Sequence, residues 1–139
     1  MGSDTYQNLR IAIVGYGKMG KAVEQEALKR GHLVSERLGR MDQERLAKLS
    51  SDDIDAIIEF THPSSFWKNM DGLLTTGIPV ITGTTGWYDR MDELASIVEQ
   101  KQAALMYAAN FSVGVNVMFK LNRELARLMN RYPEYDPYI

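Results

Sequence analysis

The feature that most constrains the fold is a short apolar run followed by three glycines at fixed spacing. Residues 9–14 are apolar apart from Arg10 and show no polar alternation, which is typical of a strand buried on both faces. From Lys18 the apolar residues recur at helical spacing until Gly31. Between strand and helix lies the loop Gly15-Tyr16-Gly17-Lys18-Met19-Gly20. This order predicts that the fold begins with a strand, a glycine loop and a helix.

The glycine loop has the spacing that a dinucleotide pyrophosphate requires. Gly15 permits a tight turn, Gly17 lets the pyrophosphate approach the backbone, and Gly20 lets the helix pack closely on the sheet. The N-terminus of the helix then meets the phosphates with free N–H groups and the positive end of its dipole. Three glycines in an ordinary turn give the same letters, so the motif depends on its context. In the strand, loop and helix context we predict dinucleotide binding.

The rest of the chain alternates strands and helices. Further strands are predicted at 33–38, 54–60, 79–82 and 104–108, with helices from Asp42, from Pro63 and over 89–101. Strands spaced in this way require right-handed crossovers, because they are too far apart for hairpins. The prediction is an α/β fold, a Rossmann-type doubly wound parallel sheet over residues 8–110. A longer helix is predicted from Ser112 to about Arg131.

Composition excludes several function classes. The net charge is −2 and the basic residues are scattered, so the chain lacks the electrostatic footprint of a nucleic-acid or anionic-membrane partner. No apolar run approaches the roughly 20 residues of a membrane helix, and the polar N-terminal segment lacks the apolar core of a signal peptide. Cysteine is absent, which removes thiolate chemistry and zinc-thiolate sites. We expect a cytoplasmic protein with a small-molecule ligand and no metal.

The choice between the two nicotinamide cofactors normally depends on the end of the second strand, where a carboxylate binds the ribose hydroxyls of NAD. Here that end reads Leu38-Gly39-Arg40. Glu36 lies too early and Asp42 slightly too late to serve as this acid. Arg40 is either a partner for a 2′-phosphate or a solvated loop charge. The pattern favours NADPH, with NADH also accepted.

Three further loops follow the third, fourth and fifth strands and emerge at the carboxyl edge of the sheet, where the ligand crevice of such a fold lies. They are Phe60-Thr61-His62-Pro63, Gly83-Thr84-Thr85-Gly86 and Ala108-Ala109-Asn110-Phe111. Glycine and threonine offer backbone groups and hydroxyls without bulk, which suits a nicotinamide ring. His62 is expected to line the cofactor rather than to act as a general acid.

These motifs resemble those of the dihydrodipicolinate reductase (4-hydroxy-tetrahydrodipicolinate reductase) family of bacterial diaminopimelate and lysine biosynthesis. The resemblance covers residues 9–139. The segments that carry it are Lys18-Met19-Gly20, Glu59-Phe60-Thr61 before Pro63, the 83–86 loop and, most specifically, residues 108–116.

The resemblance implies cofactor contacts at residues 15–20, 83–85 and 108–111, with Gly39 in the place of the family's acidic residue and Arg40 in that of its neighbouring arginine. It implies hydride transfer from NADPH or NADH to 4-hydroxy-tetrahydrodipicolinate, a small dicarboxylate. The family's histidine pair, lysine and Ser-Gly-Thr segment belong to a second domain, so no catalytic residue is expected in this chain. Residues 111–139 are expected to be a connecting helix and the start of that domain, and the full-length protein a homotetramer.

Two other functions agree with parts of the sequence. A non-catalytic NAD(P)-sensing domain would explain why the chain contains no plausible acid, base or substrate clamp. The Rossmann half of another two-domain dehydrogenase, of the aspartate or homoserine type, would share the glycine loop. The 108–116 motif argues against the sensing domain, and the other dehydrogenases lack the combination of the 83–86 loop with Asn110-Phe111-Ser112.

Overall fold

The computed structural model describes residues 7–39 and 42–135. Strands and helices alternate along these residues, as expected for crossover connections. Their bounds are β1 Arg10–Val14, α1 Lys18–Lys29, β2 Leu33–Leu38, α2 Gln43–Leu46, β3 Ala56–Glu59, α3 Pro63–Thr75, β4 Val80–Thr82, a 3-10 turn Tyr88–Arg90, α4 Met91–Gln100, β5 Leu105–Tyr107 and α5 Val113–Met129.

The five strands form one parallel sheet in the order β2-β1-β3-β4-β5. This confirms the predicted α/β, Rossmann-type class. At the carboxyl edge the last residues of neighbouring strands are in register: Val14 beside Glu59, Glu59 beside Thr82, and Thr82 beside Tyr107. The loops that follow β1, β3 and β4 therefore begin side by side.

Both faces of the central strand β1 are buried, as its apolar run predicts. Ala12 and Val14 face a cluster formed with the helices on one side, in which the ring of Phe66 stacks on Trp87 with 4.6 Å between centroids. Ile11 and Ile13 face Ala27 of α1 on the other side. Each large side chain buried in this way stabilises the fold by roughly 1.5–3 kcal/mol. The packed sheet therefore fixes the positions at which the loops at its edge begin.

Several predicted elements are longer than the observed ones. The predicted strand 54–60 is β3, Ala56–Glu59, although Ile54 before it is buried and Phe60 N donates to Val14 O at 2.8 Å. The predicted helix 89–101 begins with a 3-10 turn, because Arg90 N donates to Trp87 O. Ile54 and Phe60 are apolar, so the sequence pattern of the strand extends beyond its regular hydrogen bonding.

An ion pair joins the amino ends of β1 and β3. Asp55 accepts hydrogen bonds from the backbone N of Arg10 at 2.7 Å and from its Nη2 at 2.7 Å. These bonds, the side-chain bond first, lower the pKa of Asp55 from 3.8 to about 2. The pair lies at the opposite edge of the sheet from the loops that follow the strands.

The chain divides into two compact units, one ending at Tyr107 and the other beginning at Ala108. The second contains α5, whose N-cap Ser112 accepts from Val115 N. The predicted division into residues 8–110 and 111–139 stays a prediction. No helix within the described ranges is long and apolar enough to cross a membrane.

Candidate cofactor site

The three loop glycines meet different surroundings. Gly15 has φ +94°, and a Cβ there would overlap the carbonyl oxygen of Phe60. A Cβ on Gly20 would lie 2.5 Å from Gly15 O, whereas a Cβ on Gly17 would find no heavy atom within 4 Å. Close packing therefore requires glycine at two of these positions. Beside Gly17 the backbone borders open space.

The N-terminus of α1 is free of competing groups. Its N-cap residue is Gly17, which has no side chain to accept from the first N–H groups, and its first turn contains no acidic residue. These N–H groups and the positive end of the helix dipole favour an external anion. The loop and helix thus fit a pyrophosphate, which binds in this way to other dinucleotide-binding folds.

A pocket of about 340 Å³ opens at this point of the carboxyl edge. Its volume is in the range of small-molecule sites. Six of its residues belong to the predicted set, namely Gly15, Tyr16, Gly17, Gly39, Phe60 and Thr61. His62, Leu46, Ser65 and Asn69 complete the lining. The structure therefore brings the loops after β1, β2 and β3 together around one cavity.

Other predicted residues lie beside this pocket rather than in its lining. Met19 is 52% exposed and lines an apolar groove with Val23 and Ile58. Gly20 is buried in the first helical turn that starts at Lys18. These residues shape the loop from its helical side.

The 83–85 segment packs against the residue that follows β3. A Cβ on Gly83 would overlap the ring of Phe60. Thr84 is buried, and its Oγ1 accepts from Thr61 N at 2.8 Å. Thr85 is exposed. Phe60 consequently contacts Gly15 with its carbonyl and Gly83 with its ring.

Tyr16 is oriented by α1 and β2. Its hydroxyl donates to Glu24, which also accepts from Arg37 Nε at 2.6 Å. The hydrogen bonds from Tyr16 and Arg37 lower the pKa of Glu24, and the bond to Glu24 raises the pKa of Tyr16. Tyr16 therefore stays a neutral donor, and its position in the loop is determined by two secondary-structure elements.

The side chain of Asp42 reaches the end of β2, although Asp42 itself lies beyond the position at which the ribose-binding acid is expected. Asp42 Oδ2 accepts from Gly39 N at 2.7 Å, so this side chain folds back onto the end of the strand. Arg45 Nη1 lies 3.5 Å from Asp42 Oδ1 and also pairs with Glu36. Arg40, the predicted partner of a 2′-phosphate, lies outside the described residues.

His62 has a structural task. Its Nδ1 accepts from Ser64 N at 3.3 Å, which makes it the N-cap of α3, and Pro63 is the first residue of that helix. A proline there loses no helical hydrogen bond. His62 is exposed at the pocket and caps the helix, and its non-catalytic role stays a prediction.

The predicted contacts Ala108, Ala109, Asn110 and Phe111 open the second unit. Asn110 Oδ1 accepts from Ser112 N at 2.8 Å, and Asn116 Nδ2 donates to Asn110 O at 2.9 Å. The segment is therefore held in a defined turn before α5. Within the described ranges no group of three acidic or histidine side chains is placed to hold a metal ion.

Sequence reasoning missed three lining residues, Leu46, Ser65 and Asn69. Ser65 and Asn69 follow His62 at helical spacing, so they lie on the same side of the first turns of α3. That spacing was a signal available in the sequence. Leu46 offered none, because its apolar side chain is also a member of the core.

Comparison with known proteins decides the family. The sequence profile described as "Dihydrodipicolinate reductase, N-terminus" matches residues 9–111. The chain belongs to this family. The family predicted from the motifs is confirmed. It is a family of oxidoreductases that use a nicotinamide dinucleotide.

A curated 4-hydroxy-tetrahydrodipicolinate reductase from Christiangramia forsetii is 37% identical over 127 residues. The match covers 91% of this chain and 52% of that reductase. The chain thus spans about half the length of this dihydrodipicolinate reductase relative.

Solved structures share the fold at low sequence identity. Aspartate dehydrogenase from Thermotoga maritima matches with a TM-score of 0.54 and 13% identity over 81% of this chain and 50% of its own. An oxidoreductase from Sinorhizobium meliloti matches with a TM-score of 0.53 and 20% identity, over 73% of this chain and 37% of its own. A hyperthermophilic archaeal homoserine dehydrogenase in complex with NADPH matches with a TM-score of 0.51 and 14% identity, over 73% of this chain and 44% of its own. These similarities show the Rossmann-type fold alone.

Proposed function

We propose that this chain is the cofactor-binding part of a reductase that converts 4-hydroxy-tetrahydrodipicolinate to tetrahydrodipicolinate in diaminopimelate and lysine biosynthesis. The observation that carries the proposal is the open space at Gly17, which borders the pocket at the carboxyl edge, in a chain of the dihydrodipicolinate reductase family. The name of the relative from C. forsetii supports the substrate. NADPH or NADH is the proposed cofactor.

The predicted cofactor-binding residues have distinct proposed tasks. The backbone of Gly15 to Gly17 and the start of α1 bind the pyrophosphate, as the absence of a capping side chain favours. Gly39, at the end of β2, is a proposed neighbour of the adenosine ribose, and Arg40 is the proposed partner of a 2′-phosphate. Phe60 and Thr61 form the wall of the pocket between the pyrophosphate and the adenosine ribose. The 83–85 and 108–111 segments are proposed contacts of the nicotinamide half, on the strength of the family motifs.

The cofactor supplies the hydride when it is bound. The residues of this chain bind and orient it, and we assign none of them to proton transfer to the substrate. Protonation and substrate binding belong, in this proposal, to a second domain of the reductase. The homotetrameric assembly, the cytoplasmic location and the lack of nucleic-acid or membrane partners remain predictions.

Titration of the 139-residue chain with NADPH tests the proposal. We expect saturable binding, detected by calorimetry, and no oxidation of NADPH when 4-hydroxy-tetrahydrodipicolinate is added. A chain that binds neither NADPH nor NADH overturns the cofactor site. Substrate reduction by this chain overturns the assignment of proton transfer to another domain.

A further inference from the structure

A fully buried carboxylate lies beneath the cofactor pocket without being part of its lining. Glu59, the last residue of β3, is 0% exposed. Burial of a charged side chain is costly unless hydrogen bonds satisfy it. The pocket residues Phe60 and Thr61 follow it directly. Glu59 is thus placed where its contacts bear on the site.

Three threonines satisfy this carboxylate. Oε1 accepts from Thr61 N at 2.9 Å, from Thr84 Oγ1 at 3.0 Å and from Thr61 Oγ1. Oε2 accepts from Thr82 Oγ1. We call Glu59 and these three threonines the Glu59 cluster. Its four bonds connect the ends of β3 and β4 with the loop after each strand.

The threonines also contact one another. Thr82 Oγ1 accepts from Thr84 N at 3.2 Å, and Thr84 Oγ1 accepts from Thr61 N at 2.8 Å. On the far side, Trp87 Nε1 donates to Thr84 O at 2.6 Å, and Trp87 is buried in the core. The cluster therefore connects the 83–86 loop both to the core and to the segment after β3.

Phe60 connects the Glu59 cluster to the pocket. It stands between Glu59 and Thr61, and both of these neighbours belong to the cluster. Its carbonyl packs against Gly15 and its ring against Gly83, at distances that leave no room for a Cβ on either glycine. A shift of Phe60 would therefore displace the backbone to which we assign the pyrophosphate.

We propose that Glu59 is a positioning residue for the dinucleotide site: through the three threonine hydroxyls it holds Phe60 and the 83–86 loop in the arrangement that binds the cofactor. Glu59 acts through these residues: it contacts Thr61 of the lining but does not itself line the pocket. The inference rests on the proposed function, because it takes the pocket to be the dinucleotide site.

Two substitutions of Glu59 separate its acceptor role from its charge. Glu59→Gln keeps one oxygen for the three donors at Oε1 and places its amide at Oε2, where Thr82 Oγ1 can accept instead of donate. Glu59→Ala removes every acceptor and leaves buried donors unpaired. We expect Glu59→Ala to raise the Kd for NADPH at least about tenfold, and Glu59→Gln to raise it by less than about threefold.

A second pair of variants decides the question if Glu59→Ala does not fold. Thr82→Val keeps the side-chain shape and removes the hydroxyl, whereas Thr82→Ser keeps the hydroxyl. We expect a weaker NADPH affinity in the valine variant than in the serine variant. The matched control is Ile78→Val, a change in a buried residue near the opposite end of β4. It should lower the melting temperature and leave the Kd unchanged.

The outcomes are distinct. Binding of NADPH by the wild-type chain, with affinity lost in Glu59→Ala or Thr82→Val and retained in Glu59→Gln and Ile78→Val, supports the inference. Wild-type binding with unchanged affinity in Glu59→Ala and Thr82→Val overturns this inference alone. An equal loss of affinity in Ile78→Val also overturns it, since the effect would then be general destabilisation. Failure of the wild-type chain to bind NADPH overturns the proposed function as well.

Discussion

Replacement of Gly17 by alanine tests the cofactor site most directly. Gly17 has φ −93° and ψ −151°, an extended conformation with negative φ at the border of the β region, and its new Cβ would meet no heavy atom within 4 Å. Alanine is a poorer N-cap residue than glycine, which lowers the free energy of unfolding by roughly 0.5–1 kcal/mol. The reduced entropy of the unfolded chain offsets this by about 0.4–1 kcal/mol. The free energy of unfolding should therefore change by less than about 1 kcal/mol.

Cofactor affinity should respond much more strongly. The added methyl group projects from a residue that lines the pocket, where we propose that the pyrophosphate approaches the backbone N–H groups. A hydrogen bond to a charged group contributes roughly 1.5–3 kcal/mol, so the loss of a single one weakens binding at least about tenfold. We expect that loss for NADPH and NADH alike, because both carry the same pyrophosphate.

Gly20→Ala is the contrasting variant. Its Cβ would lie 2.5 Å from Gly15 O and 3.1 Å from Ile13 Cγ2, so a backbone atom must move. Overpacking of this kind costs about 1–3 kcal/mol, and each kcal/mol lowers the melting temperature of such a domain by roughly 3–6 °C. Thermal unfolding and calorimetric NADPH titration of both variants provide the comparison. The reasoning is refuted if Gly17→Ala binds NADPH like the wild type, or if it melts as early as Gly20→Ala.

Three further predictions concern single side chains. Since Arg10 lowers the pKa of Asp55 from 3.8 to about 2, this pair stabilises the fold above the unfolded pKa and the contribution is lost as the pH falls from about 4 to 2. The melting temperature of Asp55→Asn should accordingly fall less steeply over that range than that of the wild type, and parallel curves would contradict this. His62→Ala should cost about 1 kcal/mol in urea unfolding through loss of the α3 cap, and His62→Asn clearly less; equal losses would exclude a capping role. Arg40→Ala should lower the ratio of NADPH to NADH affinity at least about tenfold if Arg40 binds the 2′-phosphate, while an unchanged ratio identifies it as a solvated loop charge.

Local patterns sufficed for the sheet and the family. The sequence predicts the strand at 33–38 with the bounds that β2 has, because the helix that ends at Gly31 and the glycine at position 39 delimit it within a few neighbouring residues. The glycine loop was predicted for the same reason, since its spacing and flanking elements all lie within about 20 neighbouring residues. The family motifs are equally local.

The contacts at the carboxyl edge were harder to foresee. The sequence marks Glu59 only as part of a motif, and its partner Thr84 lies 25 residues away along the chain. Asp42 was placed too late by counting, yet its side chain returns to Gly39 N. Counting positions along a strand does not show where a loop side chain turns, because that depends on the backbone of the turn and on the partners available.

The sequence by itself determined that this chain forms a parallel Rossmann-type sheet with a glycine loop for a dinucleotide, because apolar periodicity and glycine spacing act over short distances. The tertiary structure alone decided which residues meet at that loop. Parallel strands bring residues more than 20 positions apart to a single edge, where packing buries the Glu59 carboxylate and presses Phe60 between two glycines. Such burial is a property of the assembled layers, so no single segment of the sequence contains it.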